Sequence, residues 1–137
     1  MKEVVCYLTF DGNCREAMTF YADALGARLD MMPFSDGPGM PPASADRIMH
    51  SRLTVDGRPC LMASDTMPGM PLHPGDNFSV SVGCTSLDEE IRFFHALSEG
   101  GDVIMPLEDT FWGAHFGMLK DRFGIKWLFN YDKPSQA

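Results

Sequence analysis

The sequence predicts an α+β fold made of two tandem modules, each with the element order β-α-β-β-β. A helix start signal occurs twice, as Asn13-Cys14-Arg15-Glu16 and as Ser86-Leu87-Asp88-Glu89. In each, a capping side chain comes first, and a Glu three residues later can reach back to the backbone. Gly26 and Gly100 end the two helical patterns, and β-like runs follow both of them. A repeat of half the chain predicts a duplication, with four strands of each module curving around a cleft that faces the other module.

The elements of the first module follow from alternation and from helical spacing. Alternating residues predict strands over residues 4–10, 27–34, 48–55 and 59–64, and the turn Asp56-Gly57 joins the last two as a hairpin. The helix has an apolar stripe at helical spacing, formed by Ala17, Phe20, Tyr21, Ala24 and Leu25. Residues 35–46 are rich in Gly, Pro, Ser and Asp, and we expect a loop there that is long enough to act as a lid.

The second module repeats this order. Strands are predicted over residues 78–82, 103–107, 114–119 and 125–131, and a helix over residues 87–99. The helix is expected to pack through Leu87, Ile91, Phe94 and Leu97. Phe94 is matched with Phe20 of the first helix, 74 residues earlier.

Length and composition predict one domain built from both modules, with the first over about residues 1–70 and the second over about residues 75–137. The chain has 137 residues, of which 45% are hydrophobic, so it can bury a sizeable core. No stretch reaches the roughly 20 apolar residues that span a bilayer, which predicts a soluble, cytoplasmic protein.

Cysteine spacing and net charge exclude several classes of function. The four cysteines lie far apart without a C-x-x-C pair, so we expect buried free thiols rather than a zinc or thioredoxin-type site. The formal charge of −8 is not offset by any basic stripe, and it would repel nucleic acid and anionic membranes. We therefore expect neither nucleic acid nor a membrane among the partners.

Four segments carry a resemblance to a known family: Tyr7 to Cys14, Ile48 to His50, Leu61 to Asp65, and Asp109 to Met118 followed by Asp121-Arg122-Phe123-Gly124. They resemble the PhnB-like subfamily of the vicinal oxygen chelate superfamily, which includes glyoxalase I, bleomycin-resistance proteins and extradiol dioxygenases. The resemblance covers nearly the whole chain and implies the glyoxalase/bleomycin resistance/dioxygenase fold. The subfamily often carries a demethylubiquinone methyltransferase label, but the sequence has no Gly-rich loop after a strand that would cradle a nucleoside cofactor.

The resemblance also implies a divalent metal, held by His, Gln or Glu side chains on the first and last strands of each module. Spacing to the helices places the first-strand positions at Cys6 and Asn77, and spacing to the hairpin glycines places the last-strand positions at Leu61 and Leu128. Leucine cannot bind a metal, and a shift by one residue recovers no carboxylate at either position. We therefore predict no cofactor and no glyoxalase-type metal triad. A weaker site of Cys6 with His50 remains open, although two ligands do not make a catalytic centre.

The polar candidate residues of the cleft are His50, Ser64 and Asp65, with Cys6 and Asn77 at the two positions described above. The resemblance places His50 facing the cavity, as a general base or a hydrogen-bond donor, and the alternative is a histidine satisfied by a neighbouring strand or loop. Ser64 and Asp65 end a strand at the cavity mouth. Asp65 can orient a polar ligand there or cap a turn.

Phe111 and Trp112 are the apolar candidates, and they predict a broad wall with one indole N–H for a polar partner. Core packing or a dimer contact explains them equally well. His115 follows three residues later, and it either faces His50 across the cleft or lies on the surface. Methionines around the two loops, such as Met67 and Met70, give an adaptable apolar lining.

Two functions from different classes remain open. The first is a binding protein that holds a small hydrophobic molecule in the cleft without turnover and without metal ligands. The second is a lyase or isomerase in which His50, with His115 as a second candidate, transfers protons, with or without a divalent metal. Because modules of this architecture often complete a cleft with a partner's module, we also expect a homodimer.

Overall fold

The computed structural model describes residues 1–34 and 46–134. The chain divides into two compact units, Met1–Pro74 and Gly75–Ala137. Most of the predicted lid loop lies outside the described residues. Within those residues, no helix is both long enough and apolar enough to cross a membrane.

The first unit is a four-stranded mixed sheet with one helix. Its elements are β1 (Tyr7–Phe10), α1 (Cys14–Leu25), β2 (Arg28–Pro33), β3 (Ile48–Val55) and β4 (Arg58–Asp65). The strand order is β1-β4-β3-β2, in which β1 and β4 are parallel and the other pairs are antiparallel. The predicted hairpin is confirmed, because Asp56 and Gly57 have φ values of 51° and 78° and so make the tight turn between β3 and β4.

The second unit repeats this topology. Its elements are β5 (Val80–Gly83), α2 (Leu87–Ser98), β6 (Asp102–Asp109), β7 (Ala114–Lys120) and β8 (Lys126–Asp132). The strand order β5-β8-β7-β6 is that of the first unit, with β5 and β8 parallel. The predicted pair of β-α-β-β-β modules is therefore confirmed, although β1 begins three residues later and β5 two residues later than predicted.

The buried face of α1 differs from the predicted stripe. Its buried residues are Cys14, Ala17, Met18 and Tyr21, whereas Phe20, Ala24 and Leu25 are only half-buried. The two helices begin at Cys14 and Leu87, 73 residues apart, so Tyr21 rather than Phe20 corresponds to Phe94. Matching Phe20 with Phe94 was therefore wrong by one residue, which on a helix is a rotation of about 100°.

The predicted stripe of α2 is wrong in two of its four members. Phe94 and Leu97 are buried as predicted, but Leu87 and Ile91 are exposed. Glu90 is buried instead. Hydrophobic periodicity cannot find a buried carboxylate, because a charged residue enters the core only where a specific partner meets it.

The two helix starts are capped in different ways. The Ser86 hydroxyl accepts a hydrogen bond from Glu89 N at 3.1 Å, and Glu89 Oε1 accepts one from Thr85 N at 3.0 Å, so α2 has the predicted reciprocal cap displaced by one residue. The Asn13 side chain makes no such bond at α1. The predicted reciprocal cap of α1 is therefore wrong, and Asp65 takes its place.

Candidate functional site

One face of the first sheet is covered by α1, and the other face carries the predicted polar residues. Ser51, Leu53, Leu61 and Ala63 are buried on the helix side. The alternate strand residues point the other way. We call this second side the open face, and it is formed by Tyr7, Thr9, Arg28, Asp30, Met32, His50, Arg52, Thr54, Cys60, Met62 and Ser64.

His50 lies on the open face and pairs with Tyr7. The Tyr7 hydroxyl is 3.0 Å from His50 Nδ1, and the two rings stack with centroids 5.8 Å apart and planes 25° apart. The hydroxyl can donate to Nδ1 or accept from it, according to the imidazole tautomer, and Nε2 has no hydrogen-bond partner among the described residues. The sequence did not predict this pair, because the two residues are 43 positions apart.

The position of Ile48 corrects one detail of that strand. Simple alternation puts Ile48 on the same side as His50 and Arg52, yet Ile48 is fully buried. The pairing of β2 with β3 shifts by one residue between Met32 and Pro33, which turns Ile48 towards the helix.

The other predicted polar residues lie at different depths. Ser64 is on the open face, half-buried and in register with Thr9. Cys6 is exposed just before β1, and burial of its thiol still raises the pKa of Cys6, which keeps the sulfur protonated at neutral pH. Asn77 is exposed and outside the strands.

The contacts of Asp65 match the capping alternative. This carboxylate is buried, and its Oδ1 accepts hydrogen bonds from Gly12 N at 2.7 Å and Cys14 N at 3.0 Å. Its Oδ2 accepts one from Ile48 N at 2.8 Å. Asp65 therefore caps the free N–H groups at the start of α1 and fixes the start of β3, and this side chain is occupied by the backbone rather than presented to a ligand.

The residues at the expected metal positions do not fit a metal ion. Leu61 is buried against the helix side, and neither Leu61 nor Leu128 has a donor atom. Over residues 1–34 and 46–134, no three His, Cys, Asp or Glu side chains cluster in a way that could hold a metal ion. The donor set therefore does not support metal chemistry of the glyoxalase kind.

Phe111 and Trp112 form an exposed aromatic cluster with Phe116. The Phe111 and Trp112 rings meet edge to face with centroids 4.9 Å apart, and Trp112 lies 6.3 Å from Phe116. Phe111 is 97% exposed and Trp112 is 58% exposed, so the alternative of core packing does not hold for them. The chain's other tryptophan, Trp127, is buried, and its indole N–H donates to Asp121 Oδ2 at 2.8 Å.

His115 has a partner that the sequence did not predict. Its Nδ1 is hydrogen-bonded to Oε1 of Glu90, a residue with no exposed surface. The second oxygen, Oε2, has no partner among the described residues. Burial raises the pKa of Cys84 to about 12, and the negative charge of Glu90 adds to this effect. The pairing of His115 with His50 stays a prediction, as does the cleft between the modules.

Comparisons with known proteins agree on one family. Residues 2–129 match the family model described as 3-demethylubiquinone-9 3-methyltransferase. The chain is 32% identical to Protein YjdN of Escherichia coli K12, over 95% of this chain and 97% of that protein. It is 45% identical to the crystal structure of protein PA1353 from Pseudomonas aeruginosa, with a TM-score of 0.88 and coverage of 98% and 100%.

More distant structures show the fold alone. A PhnB protein from Bacillus cereus, described as a putative 3-demethylubiquinone-9 3-methyltransferase, has 23% identity and a TM-score of 0.76 over 95% of this chain and 99% of that one. A glyoxalase/bleomycin resistance protein/dioxygenase family enzyme from Burkholderia phytofirmans has 12% identity and a TM-score of 0.65, with coverage of 93% and 95%. The predicted fold class is thereby confirmed.

Proposed function

Because the chain belongs to the PhnB-like family of glyoxalase-fold proteins, we propose that it binds a small molecule with a hydrophobic body and does not use the metal triad of glyoxalases. The observation that carries the proposal is the exposed aromatic cluster. A soluble domain seldom leaves an almost fully exposed phenyl ring beside a half-exposed indole without a use for them. An apolar wall with one indole donor is the usual composition of a small-molecule site.

The open face supports the same proposal from the first module. The Tyr7 and His50 pair supplies oriented polar groups there, and the flexible side chains of Met32 and Met62 lie on the same face. Methionine adapts to ligands of different shape. The methyltransferase activity in the description of the family model is not part of the proposal, because the sequence has no glycine-rich loop between a strand and a helix for a nucleoside cofactor.

Titration with Nile red, an uncharged hydrophobic dye, tests this function. We expect saturable enhancement of the dye's fluorescence together with a change in the emission of Trp112, since Trp127 is buried. Phe111→Ala and Trp112→Ala should each weaken binding about tenfold, because a well-packed aromatic contact contributes on the order of 1–3 kcal/mol.

Phe78→Ala is the matched control. Phe78 is an exposed aromatic residue of the same unit that makes no ring contact with the cluster, and its removal should leave the affinity unchanged. Absence of saturable binding, or equal affinity in all three variants, would contradict the proposal.

The Tyr7 contact favours a second candidate, proton transfer by His50. The stacked Tyr7 ring and its hydroxyl hold the imidazole in place, and a general acid or base needs a held ring with one nitrogen, here Nε2, available to the substrate. In D₂O, such an enzyme should introduce deuterium next to the carbonyl of dihydroxyacetone, and His50→Ala should abolish the exchange. Exchange no faster than in buffer would leave the protein as a binder.

A further inference from the structure

The open face of the first sheet is basic, although the chain as a whole is acidic. Its charged strand residues are Arg28, Arg52 and Asp30, which leaves an excess of one positive charge. The whole chain has a formal charge of −8. A net positive charge on the face that holds the Tyr7 and His50 pair, in a chain that is negative overall, points to a negatively charged ligand.

Strand register places Arg52 near the middle of this face. Arg52 is opposite Asp30 on β2 and opposite Met62 on β4, and Met62 is in turn opposite Tyr7 on β1. His50 comes two residues earlier on the same strand, which separates the two backbone positions by roughly 7 Å. A small molecule can therefore contact Arg52 and His50 together.

Arg52 has no acidic partner in the described part of the chain. The nearest candidate by register is Asp30, but Asp30 Oδ1 lies 3.4 Å from Arg28 Nη2, and no described carboxylate lies within salt-bridge distance of Arg52. Arg47 of the same unit is, by contrast, engaged by Asp11 and Thr66. Arg52 is exposed, and no hydrogen bond or ion pair with residues 1–34 or 46–134 engages its guanidinium.

We propose that Arg52 determines the ligand class, a small organic anion whose carboxylate or phosphoryl group accepts hydrogen bonds from the guanidinium. The planar guanidinium can bind both of these groups through two parallel hydrogen bonds. The apolar body of the ligand lies along Met32 and Met62, and its remaining polar atoms face His50. This proposal rests on the proposed small-molecule binding and adds the charge of the ligand.

Paired probes of equal shape and different charge test it. Benzoate and phenyl phosphate are compared with uncharged benzamide, and the imidazole signals of His50 are followed by NMR. The chain has only four histidines, and the His50→Ala spectrum identifies the signal. We expect benzoate and phenyl phosphate to shift the His50 signals at concentrations at least tenfold lower than benzamide.

Variants then locate the anion. Arg52→Gln should weaken benzoate binding about tenfold and leave benzamide unchanged, Arg52→Lys should retain part of the affinity, and Asp30→Asn should strengthen benzoate binding. The matched control is Arg15→Gln, which removes the same charge from the exposed side of α1 in the same unit. Equal losses in Arg52→Gln and Arg15→Gln would reduce the effect to net charge and overturn the proposal.

The failure of this proposal and the failure of the proposed function give different results. If Nile red binds but benzoate and benzamide bind equally, the ligand is uncharged and the role of Arg52 is wrong. If none of the four probes binds to the wild type, small-molecule binding itself is wrong. If only phenyl phosphate binds and Arg52→Gln abolishes its binding, the anion is phosphoryl rather than carboxylate, and the proposal stands in that narrower form.

Discussion

Asp65 in the first module and Glu90 in the second are both carboxylates buried near the start of a helix, and their surroundings differ. Both Asp65 oxygens accept backbone hydrogen bonds, three in total. Glu90 has one partner, His115, and its Oε2 has none among the described residues. The comparison shows that Asp65 stabilises the fold of its module. For Glu90, the free-energy cost of burying the carboxylate is only partly offset by its one hydrogen bond.

The largest expected effect is that of Asp65→Ala. Removing this carboxylate leaves the backbone N–H groups of Gly12, Cys14 and Ile48 without their acceptor, and each of the two buried donors, those of Cys14 and Ile48, costs about 1–3 kcal/mol when it is unmet. We expect the free energy of unfolding in urea to fall by about 4 kcal/mol, with α1 and the start of β3 losing protection in hydrogen exchange.

Asp65→Asn is the control for this variant, because its amide oxygen can still accept from Gly12 and Cys14. It should lose roughly half as much stability. If Asp65→Ala were as stable as the wild type, the contrast with Glu90 would have no energetic basis.

A smaller loss is expected for His115→Ala. The substitution leaves Glu90 fully buried without its one partner, and breaking a buried pair from one side costs about 3 kcal/mol. The measurement is again urea unfolding.

Replacing both members of the pair sharpens the comparison with Asp65. The double variant Glu90→Met with His115→Leu buries no charge, and we expect its stability to lie within about 1 kcal/mol of the wild type. A double variant as unstable as His115→Ala would mean that the pair contributes to stability in the way Asp65 does.

The same two carboxylates show how far sequence reasoning reached. Both helices, the Asp56-Gly57 hairpin and the order of the eight strands followed from local patterns, because turn chemistry and alternation act between neighbours in the chain. The role of Asp65 could be predicted only as one of two alternatives. The partner of Glu90 could not be predicted, since its contact with His115 joins positions 25 residues apart.

In the candidate site, too, local patterns could be predicted and contacts between distant residues could not. The family resemblance drew attention to His50, but no sequence pattern selected Tyr7 as its partner. Their hydrogen bond depends on the register of β1, β4 and β3, which no local pattern specifies. The shift at Met32 and Pro33 that turns Ile48 inward is likewise a property of paired strands, not of either strand alone.

A third carboxylate, Asp109 of the second module, gives the smallest expected effect because it is exposed. Its ion pair with Lys133 lowers the pKa of Asp109, with the hydrogen bond from Lys133 as the first cause. A lowered pKa stabilises the folded state above the usual pKa of an aspartate, and this stabilisation is lost as the pH falls through the lowered value.

Lys133→Met should return the pKa of Asp109 towards its usual value in an NMR titration. It should change the stability at pH 7 far less than Asp65→Ala does, because solvent screens exposed pairs. If Lys133→Met and Asp65→Ala had equal effects on unfolding, burial would not be what separates these carboxylates.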